Sequence, residues 1–250
     1  NIFENHYVIL NNYENIIWTD KNITLKFVDL VDFNFNDHNL ENIIGIIVQT
    51  VDKYGYYNKS YNEFTQLQNN MKNKDIDMGI VMSCDLLHHT VLKSPKELGA
   101  NIVIGNLQRV GIPLWGGGPH SCFFSCDYKY LRNIPGKLVS KAFDINNNRA
   151  YRLALQTREQ HIKRQTANSN ICTNQNLLNL YSTAWLMNIG LNNFTKKMND
   201  IINIKSNFFG KTDTLDTILI KDDKLDKNAY YSRNGINIYT IDDINMKNLT

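Results

Sequence analysis

A dense polar block, RLALQTREQHIKRQTANSNICTNQ, runs from Arg152 to Gln175 and has the residue types best suited to chemistry. Within it, Ser169, Asn170 and Thr173 are good helix-capping or turn residues, and they lead directly into a helical stretch. A helix N-terminus presents free N–H groups and the positive end of the helix dipole, which together favour an anion. The block is therefore predicted to bind a phosphate or a carboxylate. A capped surface helix with solvated charges is the alternative.

The middle of the polar block carries its own helix signal. Thr157 and Gln160 have the spacing of a capping box. The basic side chain of Arg158 then lies within about one and a half helical turns of the cations in residues 161–164. This arrangement would add positive charge beside the predicted anion site.

A second segment, GNLQRVGIPLWGGGPH, runs from Gly105 to His120 and combines a turn with three consecutive glycines. Glycines at 116–118 permit positive φ angles and the close approach of a ligand or of another chain. The segment matches neither GxxxxGK[ST] nor GxGxxG, so it does not identify a phosphate loop. A tight loop between two strands is the alternative.

Histidine and cysteine give weaker signals. His88 and His89 are adjacent, so on a helix their side chains point in different directions, which favours structural roles over a shared metal. The sequence contains no CxxC and fits neither a zinc module nor a dense disulfide framework. Free thiols in a reducing compartment are therefore predicted. The four cysteines are Cys84, Cys122, Cys126 and Cys172.

Short apolar runs must position these groups. Strands are predicted at residues 22–30, 42–50, 77–83, 99–106 and 120–126, with helices at about 60–75 and 85–92. Alternating strands and helices predict an α/β fold, in which a mostly parallel sheet is covered by helices. A long helix is predicted from about residue 173 to 188, with Gly190 as its C-cap.

The last part of the chain predicts a smaller unit. It comprises the strand TLDTILIK, a polar helix at about 226–234 and the strand INIYTID. We therefore expect a large domain over residues 1–190 and the beginning of a small α+β domain over 191–250. The chain does not begin with Met, so we expect its true N-terminus to be missing.

Composition narrows the class of protein. The 250 residues are 42% hydrophobic and 20% charged, with a net charge of +3. The basic residues are scattered among acidic ones, which argues against a nucleic-acid binder, although the basic cluster keeps that function as a minor alternative. No run approaches the roughly 18 apolar residues that span a bilayer, so no membrane partner is expected. The first residues also lack the pattern of a signal peptide.

Three stretches resemble one known family. GNLQRVGIPLWGGGPHSCFF, IPGKLVSKAFD and above all RLALQTREQHIKRQTANSNICTNQNLL are similar to the glycine decarboxylase P-protein of the glycine cleavage system. The similarity extends at lower density from about Asn5 to the C-terminal region. It implies a fold-type I enzyme that depends on pyridoxal phosphate, decarboxylates glycine and passes the aminomethyl group to the lipoyl arm of the H-protein.

The resemblance also implies a division of labour. P-proteins have two homologous halves, fused or separate, and the polar block belongs to the N-terminal half. The half that binds the cofactor covalently has a lysine where this chain has Gln108, and an amide cannot form an imine. Met82 stands where an acid for the pyridinium nitrogen is expected, with Asp85 three residues further on. The cofactor is therefore expected on the other half.

For this half the resemblance implies a supporting role in a dimer or heterotetramer. Ser169, Asn170 and Thr173 are expected to contact the cofactor phosphate across the interface, with His120 and Arg158 lining the same region. A scaffold or degenerate relative that only binds partner subunits is the alternative.

The sequence departs from the family pattern in places. Ser140-Lys141 and Gln165-Thr166 replace its usual residues, and the family's upstream serine-rich phosphate loop is absent. A fragment, a split gene or a decaying protein would each explain that absence. The expected compartment is the mitochondrial matrix in a eukaryote and the cytoplasm in a bacterium.

Overall fold

The computed structural model describes residues 45–51, 55–57, 69, 79–113, 119–134, 136–155, 165, 167, 175–210, 214–221, 231–233 and 236–240. Four of the predicted strands form one sheet in the order β1-β2-β3-β4. They are β1 (Gly45–Gln49), β2 (Gly79–Ser83), β3 (Ile102–Asn106) and β4 (Cys122–Cys126). The predicted strand at 22–30 and most of the predicted helix at 60–75 lie outside the described residues.

The first three strands are parallel, as the buried apolar runs predicted, whereas β4 runs antiparallel to β3. The side chains of Ile80 and Met82 on β2 are fully buried, as is typical of a central strand. Gly105 on β3 lies very close to its neighbours. A Cβ atom there would sit 2.1 Å from the carbonyl oxygen of Cys84 and 2.4 Å from the ring of Phe123.

A two-stranded hairpin follows the sheet. It consists of β5 (Leu138–Phe143) and β6 (Arg149–Leu155), which pair antiparallel. The Asp144 carboxylate accepts the backbone N–H groups of Asn146 and Asn148 at 2.9 and 2.7 Å, and Asn147 adopts a φ of 62°. Asp and Asn are residue types that favour such turns. This hairpin was not predicted, and it places the start of the polar block, Arg152, on a strand.

The long helix, α1 (Asn176–Phe209), begins close to its predicted start and extends far beyond its predicted end. Gly190 interrupts it with φ 73° and ψ 158°. The predicted C-cap is therefore a real break in the helix, since glycine adopts positive φ without a steric penalty. A second helical segment continues directly after the break. The prediction missed it because Gly190 was taken as the end of the element.

The hydrophobic core lies where α1 covers the loops of the sheet. Phe194, Met198 and Ile201 of the helix pack against Leu87 and Val110. The rings of Trp185 and Phe194 meet edge to face, with their centroids 5.9 Å apart. Only a short 3-10 helix, His88–Thr90, forms in the region where a helix was predicted at residues 85–92.

The C-terminal part forms a separate antiparallel sheet in the order β7-β9-β8. Its strands are β7 (Thr217–Lys221), β8 (Tyr231–Arg233) and β9 (Ile236–Thr240). The polar helix predicted at 226–234 is wrong at residues 231–233, which pair as a strand, and the rest of that range is not described. Whether a domain boundary falls at residue 190 stays a prediction. No helix in the described part of the chain is long and apolar enough to cross a membrane.

The segment before β7 is tied to the helix. The buried ammonium group of Lys205 donates to the carbonyl oxygen of Thr214 and, at 3.1 Å, to its hydroxyl group. The Thr214 hydroxyl donates in turn to the carbonyl oxygen of Thr217 at 2.6 Å. Because each of these buried polar atoms has a partner, the position of residues 214–217 relative to α1 is well defined.

Candidate functional site

The turn that leaves β3 is the centre of the candidate site. Its first residue, Asn106, accepts the backbone N–H of Gln108 on its side-chain oxygen at 2.5 Å. The N–H of Leu107 donates to the carbonyl oxygen of Ser121 at 2.8 Å, which joins the turn to the start of β4. Gly111 completes the turn with a φ of 79°. These contacts fix the backbone around Gln108, and an Asn at the first position is typical of such a turn.

Arg109 links this turn to two carboxylates. One guanidinium nitrogen, Nη1, lies 2.9 Å from Asp85 Oδ2 and 2.5 Å from Asp216 Oδ2. Asp85 follows β2, and Asp216 immediately precedes β7. Burial by itself lowers the pKa of Arg109, but the negative charges of Asp216 and Asp85 outweigh it, so the pKa is raised. Arg109 is therefore a permanent cation held between two anions.

His88 completes this network. Its Nε2 atom lies 3.0 Å from Asp216 Oδ2 and 3.3 Å from Arg109 Nη1. Burial by itself raises the pKa of Asp216, but the hydrogen bond and charge of His88 and the charge of Arg109 outweigh it. The Asp216 pKa therefore lies well below its usual range. We call these four residues, Asp85, His88, Arg109 and Asp216, the carboxylate–arginine cluster.

The two adjacent histidines bind different groups, as their predicted structural roles require. His89 Nδ1 lies 2.8 Å from the carbonyl oxygen of Lys93, whereas His88 faces Asp216. Burial lowers the pKa of His89, which favours its neutral form. The other ring nitrogens, His88 Nδ1 and His89 Nε2, are buried and have no hydrogen-bond partner among the described residues. In the described part of the chain no group of three or more His, Cys, Asp or Glu is placed to hold a metal ion.

Among the predicted site residues, the structure places Gln108 in the turn and His120 in an exposed position just before β4. Arg158, Ser169, Asn170 and Thr173 lie outside the described residues, as does the triple glycine, so the predicted anion site stays a prediction. The helix that follows it does form, beginning at Asn176.

The cysteines show no shared chemistry. Cys84, Cys122 and Cys126 are free thiols, and Cys172 lies outside the described residues. Burial, with a smaller contribution from the charge of Asp85, raises the pKa of Cys84 to about 12. A buried neutral thiol of this kind is unreactive.

The described residues do not fit a covalently held pyridoxal phosphate. An imine requires a lysine amine, and position 108 carries an amide. The expected acid is replaced by Met82, whose side chain is fully buried. The nearest carboxylate in sequence, Asp85, is already bound to Arg109. We therefore assign no covalent step to these residues.

Sequence reasoning missed the carboxylate–arginine cluster, because Arg109 and Asp216 are 107 positions apart. A weak signal was available. Asp216 is the one charged residue between Asp213 and Lys221, a stretch that is otherwise apolar or hydroxylated. A lone charge in a buried strand region predicts a partner of opposite sign, but it does not say which one.

The mostly parallel sheet and the covering helix agree with the fold-type I architecture that the sequence resemblance implied. The fold resembles a crystal structure of glycine decarboxylase (P-protein) of the glycine cleavage system in inhibitor-bound form. The TM-score is 0.69 at 23% identity, and the match covers 80% of this chain and 51% of that one. The α/β fold class predicted from the sequence is therefore confirmed, and the small C-terminal α+β domain stays a prediction.

The sequence identifies the family to which the chain belongs. The model of the family described as "Glycine cleavage system P-protein" matches residues 6–244, and the chain belongs to this family. The resemblance found in the three motifs is thereby confirmed.

Several relatives share the name glycine dehydrogenase (decarboxylating). The protein of Pelagibacter ubique is 42% identical over 172 residues, which is 63% of this chain and 18% of that protein. A mitochondrial protein of Dictyostelium discoideum is 43% identical over 158 residues, which is 63% of this chain and 15% of that protein. The protein of Flavobacterium johnsoniae is 36% identical over 205 residues, and the match covers 78% of this chain and 21% of that protein. The chain thus spans about a fifth of the length of these relatives.

Proposed function

We propose that this chain is the supporting half of a glycine decarboxylase. In this proposal the whole enzyme decarboxylates glycine and transfers the aminomethyl group to the lipoyl arm of the H-protein. The lysine-bearing half holds pyridoxal phosphate covalently, and the cofactor supplies the electron sink for decarboxylation. The present chain supports that site without forming an imine. The proposal rests on Gln108, which stands at the expected lysine position in a turn held by a hydrogen bond and ion pairs.

The geometry of the turn favours a retained site over a degenerate one. Asn106 fixes the backbone at Gln108, and Arg109 is anchored by two carboxylates, so the turn is held from both sides. A turn that had lost its role would not need two partly buried ion pairs, which are costly to desolvate. The lysine is missing, but the turn at its position is held by a hydrogen bond and ion pairs, which supports a retained site.

The proposed contribution of this half is an anion site at the N-terminus of α1. Ser169, Asn170 and Thr173 precede the helix and would bind the cofactor phosphate held by the other half. His120, which is exposed at the start of β4, and Arg158 would line the same region. Such a site needs the two halves to meet, so the functional form is a dimer or a heterotetramer.

A borohydride trap tests where the imine forms. The full chain would be mixed with the lysine-bearing half of a P-protein and with pyridoxal phosphate, then reduced and analysed by peptide mass spectrometry. We expect the reduced adduct on the other half, with none on this chain. The matched variant Gln108→Lys would acquire an adduct at position 108 if the turn has the geometry of a lysine site. A stoichiometric adduct at one lysine of the unmodified chain alone would overturn the proposal.

Two substitutions test the anion site in the same complex. Arg158→Ala and Thr173→Ala would each raise the dissociation constant of pyridoxal phosphate by about tenfold. Thr183→Ala is the control, since this exposed hydroxyl donates to the carbonyl oxygen of Asn179 within α1. If neither site variant changes the constant while the complex still forms, the half acts only as a scaffold.

The compartment follows from the same proposal. The Dictyostelium discoideum relative is mitochondrial by name, and other relatives are bacterial. The enzyme would therefore act in the mitochondrial matrix of a eukaryote or in the cytoplasm of a bacterium. Fractionation of source cells with an antibody against the chain tests this location.

A further inference from the structure

Gly190 divides α1 into two segments, and each segment has an inward side of its own. In the first segment, residues 176–189, the buried or partly buried side consists of Leu178, Ser182, Trp185 and Ile189. In the second segment, residues 191–209, the buried side consists of Phe194, Met198, Ile201 and Lys205. Within each segment, intervals of three and four residues keep these side chains on one face of the helix.

The two inward sides would not face the same way in a continuous helix. The step from Ile189 to Phe194 is five residues, whereas an unbroken apolar side needs steps of three or four. At about 100° per residue, the mean directions of the two inward sides would differ by about 160°. A continuous α1 could therefore turn one inward side or the other towards a single core, but not both.

The break at Gly190 removes this conflict. Its φ of 73° and ψ of 158° lie in a backbone region that is essentially restricted to glycine. As a result, Trp185 and Ile189 before the break pack in the same core as Phe194 after it. A Cβ atom at position 190 would have no neighbour within 4 Å among the described residues, so the backbone conformation requires glycine here, and a lack of space does not.

The rotated first segment lies against the turn of the candidate site. Trp185 contacts Gly111, where an added Cβ atom would sit 2.4 Å from the indole ring. The buried hydroxyl groups of Ser182 and Ser121 lie 3.4 Å apart. The carbonyl oxygen of Ser121 accepts the backbone N–H of Leu107 from the same turn. The inward side of the first segment thus supports this turn at two points.

Without the break, a different side of the first segment would face the core. The exposed side chains of Leu180, Met187 and Leu191 have the same helical direction as the buried side of the second segment, to within about 30°. A continuous α1 would therefore turn them inward in place of Ser182 and Trp185. The turn of the candidate site would then lose both of its contacts with the helix.

We infer that Gly190 is a positioning residue for the turn at Gln108. Its backbone conformation sets the rotation of the first helical segment, and that rotation places Trp185 and Ser182 against the turn. The inference goes beyond the proposed function and is independent of it. It depends only on contacts among the described residues and holds for any ligand of the turn.

A disulfide trap in the full chain measures this rotation. Ser121→Cys/Ser182→Cys places two thiols where the hydroxyl oxygens now lie 3.4 Å apart. We expect mild oxidation to join positions 121 and 182, as identified by peptide mass spectrometry. Adding Gly190→Ala should slow the formation of this disulfide at least about tenfold, because the two Cβ atoms would no longer be about 4 Å apart. Asn192→Ala is the matched control in the same helix, since Asn192 is exposed, and it should leave the rate unchanged.

Inserted residues distinguish a change of rotation from a general loss of stability. Two alanines placed after position 190 in the Gly190→Ala chain add about 200° and bring the two inward sides back into alignment. This insertion should restore the disulfide. A single inserted alanine leaves the inward sides about 100° apart and should not restore it.

Three results would overturn the inference. The first is the absence of the disulfide in the chain that keeps Gly190, which would show that Ser121 and Ser182 do not meet. The second is unchanged trapping in Gly190→Ala, which would show that the rotation does not depend on this residue. The third is a loss of trapping that two alanines do not restore or that one alanine restores equally well, because the substitution would then act only on stability.

Discussion

Arg109 and Asp216 are 107 positions apart in the chain and meet in an ion pair of 2.5 Å. Arg109 directly follows Gln108, and Asp216 directly precedes β7. The pair therefore joins the turn at the candidate site to the C-terminal sheet. Since Asp216 is 9% exposed and also contacts His88, its negative charge is balanced within the protein and not by solvent.

The first prediction concerns the stability that this ion pair contributes. Asp216→Asn keeps the side-chain size and removes the charge, which leaves the partly buried Arg109 paired with Asp85 but without the charge of Asp216. Removing one partner of a buried pair is strongly destabilising, so the free energy of unfolding should fall by about 3 kcal/mol. Urea denaturation followed by tryptophan fluorescence measures this change.

Lys96→Gln is the control for Asp216→Asn. Lys96 pairs with Asp127 at 2.5 Å, but the lysine side chain is 72% exposed. An exposed ion pair contributes less than about 1 kcal/mol, so this variant should unfold almost like the unmodified chain. Equal effects of the two substitutions would show that burial of the Asp216 pair has no energetic consequence.

The second prediction concerns pH. The pKa of Asp216 is lower in the folded chain than in the unfolded chain, where it is about 3.9. Its stabilising contribution is therefore fully present above that unfolded pKa and is lost as the pH falls towards the lower folded pKa. The stability difference between the unmodified chain and Asp216→Asn should be present at about pH 5 and shrink below about pH 4. A difference that already disappears at about pH 6 would contradict this explanation.

The sequence predicted the fold where the signal was local. The apolar runs of β1, β2 and β3 are long enough to be recognised, and the full burial of Ile80 and Met82 on β2 follows from its composition. The direction of β4 was not accessible, because a strand carries no local mark of the direction of its neighbour. The hairpin β5–β6 was missed because its two strands bury no side chain in the described structure, so they show little of the apolar pattern of a core strand.

The site was predictable only in part, for a different reason. Gln108 was recognised because a resemblance marks its position in one continuous motif. The carboxylate–arginine cluster depends on Asp216, whose contact with Arg109 is set by how the chain returns after α1. No periodic pattern of residue types along the sequence indicates this contact between Asp216 and Arg109. The predicted polar helix near residue 230 failed similarly, because pairing with β9 determines the structure of residues 231–233.

The third prediction concerns thiol reactivity. With its pKa raised to about 12 by burial, Cys84 is almost entirely protonated at pH 8, with roughly one thiol in ten thousand ionised. Cys122 is exposed on β4. Iodoacetamide should therefore modify Cys122 at least about a hundredfold faster than Cys84 in the folded chain, as followed by peptide mass spectrometry. In urea the two rates should become similar. Rapid labelling of Cys84 without denaturant would show that the region between β2 and β3 opens readily.

The fourth prediction concerns the glycine that closes the turn of the candidate site. Gly111 has a φ of 79°, and a Cβ atom there would lie 2.4 Å from the indole ring of Trp185. Gly111→Ala therefore combines a strained backbone with a steric clash against the core face of α1. The free energy of unfolding should fall by about 2 to 4 kcal/mol. Gly136→Ala is the control, since nothing lies within 4 Å of its added Cβ atom, and a change below about 0.5 kcal/mol is expected. The two variants are compared by urea denaturation. If Gly111→Ala is as stable as Gly136→Ala, the turn is not held against Trp185, and its fixed geometry around Gln108 would lose its main steric support.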